Sequence, residues 1–404
     1  MRYILSGSLG LLCLFLVGCH QPHAASDVGA SAKVTKVQEQ SMGDGLSDPN
    51  ATPETRALYQ HLQNIKQKYS LFGQHEATAY GFTWEAEPNR ADVKDVTGSF
   101  PAVVGWDFAW LEHGEPKNVD GVSIETMRKG MQEVFKRGGV NTLSWHMRNP
   151  VTGGDHGDKT PAVKEMLPGG SKHALFLSRL DAFAAFNESL KIGDTYIPII
   201  FRPWHEHNGE WFWWGKGNVT EQDYIALWRF TIDYLREKKQ MHNLIIATSP
   251  DRSRIDLTHF SADYLYAYPG DNYVDIMGLD DYWDLGHSYN KASAAEQLMN
   301  FSQSLAEVAT IANAHHKLAA LTETGSEAIP NPQFWTQVLL KGLTANDLTK
   351  QTVYVMVWRN ATNGGFNGHH FYAPYKGQAS AADFIQFKQN DFIVFEDELP
   401  VKYQ

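Results

Sequence analysis

The stretch Tyr196-Ile197-Pro198-Ile199-Ile200-Phe201-Arg202-Pro203-Trp204-His205-Glu206 decides the fold. Its first six residues are apolar without a break. The run is short for a helix and lacks the one-in-two alternation of a strand with one wet face. It fits a strand buried on both faces of a parallel sheet. It then ends abruptly in a guanidinium, an indole, an imidazole and a carboxyl. The same design recurs along the chain at residues 71–76, 101–108, 140–147, 243–250, 274–282, 318–325 and 352–359, giving eight strand candidates in all. Amphipathic segments at 124–136, 175–190, 222–237 and 294–314 lie between them and read as helices. Eight β-α units predict an α/β fold, a single-domain (β/α)8 TIM barrel.

Polar and aromatic residues gather where the apolar runs end. Gln74-His75-Glu76, Asp107, Trp145-His146, Trp204-His205-Glu206, Asp280-Asp281-Tyr282-Trp283, Glu323 and Trp358-Arg359-Asn360 all occupy such ends. In this fold the active site lies on the face formed by the C-terminal strand ends. Packing alone does not place chemistry at nearly every strand end. The segment 149–170, rich in Gly, Pro, Asp and His, reads as a loop over the mouth, and 111–120 as a second one.

Glu206 ends the fourth run and Glu323 the seventh, within Leu321-Thr322-Glu323-Thr324-Gly325. Strands four and seven face each other across an eight-stranded barrel, so the two carboxyls are expected to meet over the mouth. Glycoside hydrolysis needs such a pair, one group donating a proton and the other acting as nucleophile or base. Glu76, Glu210, Glu327 and Asp281 are weaker rivals. His205 and His207 flank Glu206, but no run of further ligands completes a metal motif, so no metal and no cofactor are expected. His205 reads as a hydrogen-bond partner beside the acid, with His146 a second polar candidate at the mouth. Arg202 can hold a carboxylate as an anion, and Tyr282 can donate to the carboxyl on strand seven. Trp211, Trp358, Trp106 and Trp110 are candidate sugar platforms, an indole offering an apolar face with a polar handle. Arg359 and Asn360 are candidates for holding sugar hydroxyls.

Composition bounds the rest. The chain has 404 residues, a formal net charge of −11 and 12 Trp. The acidic balance argues against a nucleic-acid partner, whose phosphates need clustered Lys and Arg. There are two cysteines, Cys13 and Cys19, too few for a disulfide framework. Both lie near the start, where Met1-Arg2 precedes a short apolar run ending Leu16-Val17-Gly18-Cys19. That is a secretory pattern with a bacterial lipobox. We expect residues 1–18 to be a signal peptide and Cys19 a lipidated first residue. Residues 19–50 read as a flexible tether and 51–404 as the catalytic barrel. His20 in place of Asp favours the outer membrane as the site of the anchor. Membrane contact is expected only through that lipid, and the chain is expected to be a monomer.

The string Arg202-Pro203-Trp204-His205-Glu206, followed by Asn208-Gly209 and Trp211-Phe212-Trp213-Trp214-Gly215, resembles the acid/base signature of glycoside hydrolase family 26. Leu321-Thr322-Glu323-Thr324-Gly325 is similar to that family's nucleophile segment. The resemblance runs from about residue 55 onward. It implies a retaining barrel enzyme, mainly of the β-1,4-mannanase type, acting on mannan or manno-oligosaccharides. It makes Glu206 the acid/base and Glu323 the nucleophile, with Trp211, Tyr282 and Trp358 at aromatic positions of the active site and Arg359 where a distal sugar is held. His205 stands in place of the Asn common elsewhere in that superfamily. His207 departs from the Met or Leu of many members. Two alternatives stay open: the same chemistry on β-1,3-xylan or mixed-linkage β-glucan, and a non-catalytic surface lipoprotein that captures glycans.

Overall fold

The computed structural model of the chain describes residues 45–399. Eight parallel strands form the barrel: β1 Ser70–His75, β2 Val103–Asp107, β3 Val140–Ser144, β4 Ile199–Arg202, β5 Leu244–Thr248, β6 Ile276–Asp281, β7 Leu318–Thr324 and β8 Thr352–Val357. Each pairs with the next in sequence. The ring closes where β8 pairs with β1, with Leu71 opposite Tyr354 and Gln74 opposite Val357. All eight strands are buried along their whole length, which is why their sequences run apolar without alternating. A two-residue strand, Ile393–Val394, adds to the start of β1.

The helices begin where the sequence provides caps. Thr52 caps Pro53–Ile65, with Pro at its first turn, while Ser123 caps Ile124–Lys136 and Ser293 caps Ala294–Ala314. The last two match the predicted spans at both ends. The helix predicted at 222–237 is α-helical over Glu221–Asp233 and continues as a π turn over Tyr234–Lys238. That predicted at 175–190 spans His173–Glu188. Outward-facing strand residues pack on this layer. Phe72 of β1, for instance, meets Phe384, Phe387, Phe395 and Trp335 with ring centroids 4.9–6.0 Å apart.

The expected signal peptide, Cys19 and most of the tether lie outside the described residues. The last residues of the tether, 45–50, depart from the expectation. The Ser47 amide donates to Asp275, Asp48 is buried against His242 at 2.9 Å, and the Lys317 ammonium donates to the carbonyl of Gly45. The barrel therefore starts before residue 51. Small polar residues composed like a linker are held there by specific hydrogen bonds that composition does not reveal. Asp275, His242 and Lys317 directly precede β6, β5 and β7 or lie close to their starts. This contact is thus at the N-terminal end of the barrel, opposite the mouth.

Candidate active site

β4 delivers Arg202 to the barrel interior and then breaks. Trp204 and Glu206 adopt left-handed backbone angles, φ 50° and 53°, which non-glycine residues rarely do. Surrounding bonds impose the turn. The Glu206 amide donates to the carbonyl of Ser249, the Tyr224 hydroxyl to that of Trp204, and the Trp214 indole to that of His205. Strain held this way at a strand end is typical of functional sites. It aims the Glu206 carboxyl across the mouth.

Glu323, on β7, meets it there. An oxygen of Glu206, one of Asp280 and one of Glu323 all lie within 4.8 Å of one another. Arg202 binds two of the three. Its Nη1 donates to Asp280 at 2.9 Å and its Nη2 to Glu323. The Tyr282 hydroxyl donates to the other oxygen of Glu323 at 2.8 Å. Two donors, one of them charged, fix the orientation of this carboxyl. Glu206 is the contrast. Burial, followed by the charges of Asp251, Asp280 and Glu323, pushes its carboxyl well above the usual range, against the pull of one indole donor, Trp211 Nε1 at 2.7 Å. The two carboxyls thus sit in unlike surroundings, Glu323 gripped by a guanidinium and a phenol and Glu206 buried beside other carboxyls. Their separation fits the close spacing of about 5–5.5 Å found in retaining glycosidases, not the wider gap that admits a water in inverting ones.

A cleft of about 660 Å³ opens over Glu323, lined also by Trp211, Arg254, Tyr282, Trp358 and Tyr372 among others. Trp358 is stacked on His75, with centroids 4.3 Å apart and planes 16° from parallel. Arg359, next to it, is clamped by Asp120 at 2.7 Å and donates to the Tyr80 hydroxyl. His146 and His205 touch through their Nε2 atoms at 3.0 Å beside the acid. His156, from the predicted loop 149–170, makes a ring contact with His146, so that loop does reach the mouth.

The structure thus gathers Glu206, Glu323, Arg202, His205, His146, Trp211, Tyr282, Trp358 and Arg359 at one end of the barrel. Trp106 is a correction. Its ring points outward from β2 against the helix Ile124–Lys136, fully buried, and its indole donates to Asn141 at 2.9 Å. A Cβ at Gly130 would lie 2.3 Å from that ring. It packs the core and offers no platform. Trp110 is half-buried under the Arg148 guanidinium, 4.5 Å from its ring. Asn360 holds the loop after β8 through Asp92 and the backbone of Tyr372 and Ala373. Sequence reasoning missed Asp280 as a member of the carboxyl triad, although it stands in the quoted Asp280-Asp281-Tyr282 end. It also missed Asp120, whose partners are remote in the chain.

The profile of Glycosyl hydrolase family 26 matches residues 47–353. The chain belongs to this family. It is 36% identical over 361 residues to a mannan endo-1,4-beta-mannosidase of Bifidobacterium adolescentis, covering 86% of this chain and 35% of that one. The chain thus spans about a third of that relative's length. A second mannan endo-1,4-beta-mannosidase, from Bacillus subtilis, is 28% identical over 79% of this chain and 83% of its own. Among solved structures, a family 26 beta-mannanase of Bacteroides ovatus superposes with a TM-score of 0.79 at 39% identity, covering 87% of this chain and 97% of that one. Its barrel is the fold described above.

Proposed function

We propose that this family 26 enzyme hydrolyses β-1,4-mannosidic bonds in mannan and manno-oligosaccharides with retention of anomeric configuration. The observation that carries this is the close pair Glu206 and Glu323, one carboxyl bound by Arg202 and Tyr282 and the other only by the Trp211 indole. Glu323, oriented by Arg202 and Tyr282, attacks the anomeric carbon while Glu206 donates its proton to the leaving oxygen. A covalent mannosyl-enzyme forms. Esterification removes the Glu323 charge, which lowers the proton affinity of Glu206 and readies it as base for the incoming water. Trp211 and Trp358 face the same cleft and supply apolar surface for pyranose rings. Reducing-sugar release from mannan, β-1,3-xylan and lichenan tests the substrate. Mannan is expected to be cleaved fastest, and faster turnover of either other polymer would replace mannan in this reading.

We also propose that the chain is lipidated at Cys19, acts as a monomer and resides at the cell envelope, anchored in the outer membrane. The support is the sequence Leu16-Val17-Gly18-Cys19 after an apolar run. Incorporation of labelled palmitate into the full chain and its loss in Cys19→Ala check it. Label retained in the variant would remove Cys19 from that role.

A further inference from the structure

At the mouth of the barrel, leading to Glu206, runs a chain of three titratable groups that the mechanism above does not use. Asp107, at the end of β2, is fully buried. One of its oxygens, Oδ1, accepts from two backbone amides, those of Ala109 at 2.7 Å and His146 at 3.2 Å. The other, Oδ2, accepts from the Ser144 hydroxyl at 2.8 Å and faces His146 Nδ1 at 2.6 Å. Beyond it, His146 Nε2 meets His205 Nε2 at 3.0 Å. His205 Nδ1 is buried with no hydrogen-bond partner among the described residues. His205 directly precedes the acid/base.

Proton counting restricts what this chain can hold. A carboxylate only accepts, so the proton between Asp107 and His146 sits on Nδ1. Two Nε2 atoms 3.0 Å apart share one proton. With His146 neutral, its Nε2 is bare and His205 must donate from Nε2, leaving His205 Nδ1 an acceptor. With His146 charged, it donates to His205, whose own proton then sits on Nδ1. We propose that Asp107 and His146 are positioning residues that act through His205: the carboxylate fixes the tautomer of His146, and His146 sets which nitrogen of His205 carries its proton beside Glu206.

The surrounding charges agree. Burial opposes a charge on His146, but Asp107 outweighs it, with Glu323 and Asp120 adding to the rise. Burial, then Arg202 and the imidazoles of His146, His156 and His75, hold His205 far below the usual range. A proton added to the pair therefore rests on His146, while the tautomer that changes is that of His205. His156, the remaining imidazole against His146, is held down at about 4 by burial and by His146.

Asp107→Asn tests this in a defined direction. The two backbone amides keep the Asn oxygen at the Oδ1 position. Its NH2 then faces His146 Nδ1 and donates to it. His146 must carry its proton on Nε2, which forces His205 to carry its own on Nδ1. Ring ¹⁵N spectra of the full enzyme, recorded above the pH at which His146 loses its charge and assigned with single-His variants, are expected to show His205 moving from an Nε2 proton to an Nδ1 proton. An unchanged His205 tautomer in the variant would overturn the proposal. Kinetics on mannohexaose give a second reading, which rests on the mannanase assignment. Asp107→Asn is expected to lower kcat about 30-fold, within the range seen when partners behind a functional imidazole are lost. In a His205→Asn background, where no tautomer can change, the same substitution is expected to cost under about threefold. An equal loss in both backgrounds overturns the coupling. If Asp107→Asn does not fold, His146→Ala read against His205→Asn measures the same coupling. If mannohexaose is not cleaved at all, the functional reading fails while the spectra still decide this one.

Discussion

Two acidic clusters sit at the mouth of this barrel, and each contains one arginine. In one, Arg202 binds Asp280 and Glu323 beside Glu206; in the other, Arg359 binds Asp120 beside Glu76 and His75. In both, burial raises a glutamic acid well above its usual range. They differ in how that glutamic acid is held. Glu76 is completely buried, taking the Tyr80 hydroxyl on one oxygen and the Asn118 amide, at 2.8 Å, on the other. Glu206 is half-buried, with a single indole on one oxygen. A perturbed proton affinity is therefore not what marks the reacting group. A carboxyl with both oxygens engaged and no route to the cleft is a clamp, which here supports Arg359. A carboxyl with an oxygen left for a ligand can exchange a proton.

The sharpest way to break this contrast is to neutralise one acid in each cluster. Glu206→Gln and Glu323→Gln are each expected to lower kcat on mannan by about 10³-fold or more, and Glu76→Gln by less than about tenfold. Comparable losses at Glu76 would place it in the chemistry. The arginines come next. Arg202→Met leaves Asp280 and Glu323 buried without their cation and is expected to cost about 3–5 kcal/mol in denaturant unfolding. Arg359→Met, at a partly exposed site, is expected to raise KM more than it lowers stability. Two indoles extend the comparison: Trp106→Ala is expected to lose about 3–5 kcal/mol of stability, whereas Trp358→Ala is expected to raise KM about tenfold with little change in unfolding.

The smallest effect has a sign set by linkage. The Glu206 carboxyl binds its proton more tightly folded than unfolded. Between the unfolded and the higher folded value, the unfolded chain has released a proton that the native state still holds. Stability from this group is therefore fully present below the unfolded value and is lost as pH rises through the folded one. Glu206→Gln removes that dependence. It is expected to melt a few degrees above the parent near neutral pH, with the gap closing near pH 4, measured by thermal unfolding across pH. A gap that widens on acidification would show that the carboxyl is not held protonated.

Much of this was legible in the sequence, for stated reasons. Strands buried on both faces leave continuous apolar runs, so all eight could be placed. The polar residues at their ends had no packing reason to be there, so Glu206 and Glu323 stood out. The same continuity hid the side of the barrel each residue faces. Trp106 and Asp107 are adjacent on β2, yet one packs on a helix and the other points to the mouth. Nothing in a run buried on both sides distinguishes them. Asp120 and Arg359 meet only because β8 closes onto β1, a contact that local pattern does not announce. Residues 45–50 read as linker because the bonds that dock them on the barrel go to groups just before β5, β6 and β7, far away in the chain.

That last contact fixes where the chain meets the barrel. The backbone before Thr52 reaches the barrel among Asp275, His242 and Lys317, at the pole farthest from Glu206 and Glu323. A disturbance at this pole acts on the starts of β5, β6 and β7, a full strand length from the two carboxyls, so the end that receives the chain and the end that does the chemistry are mechanically separate.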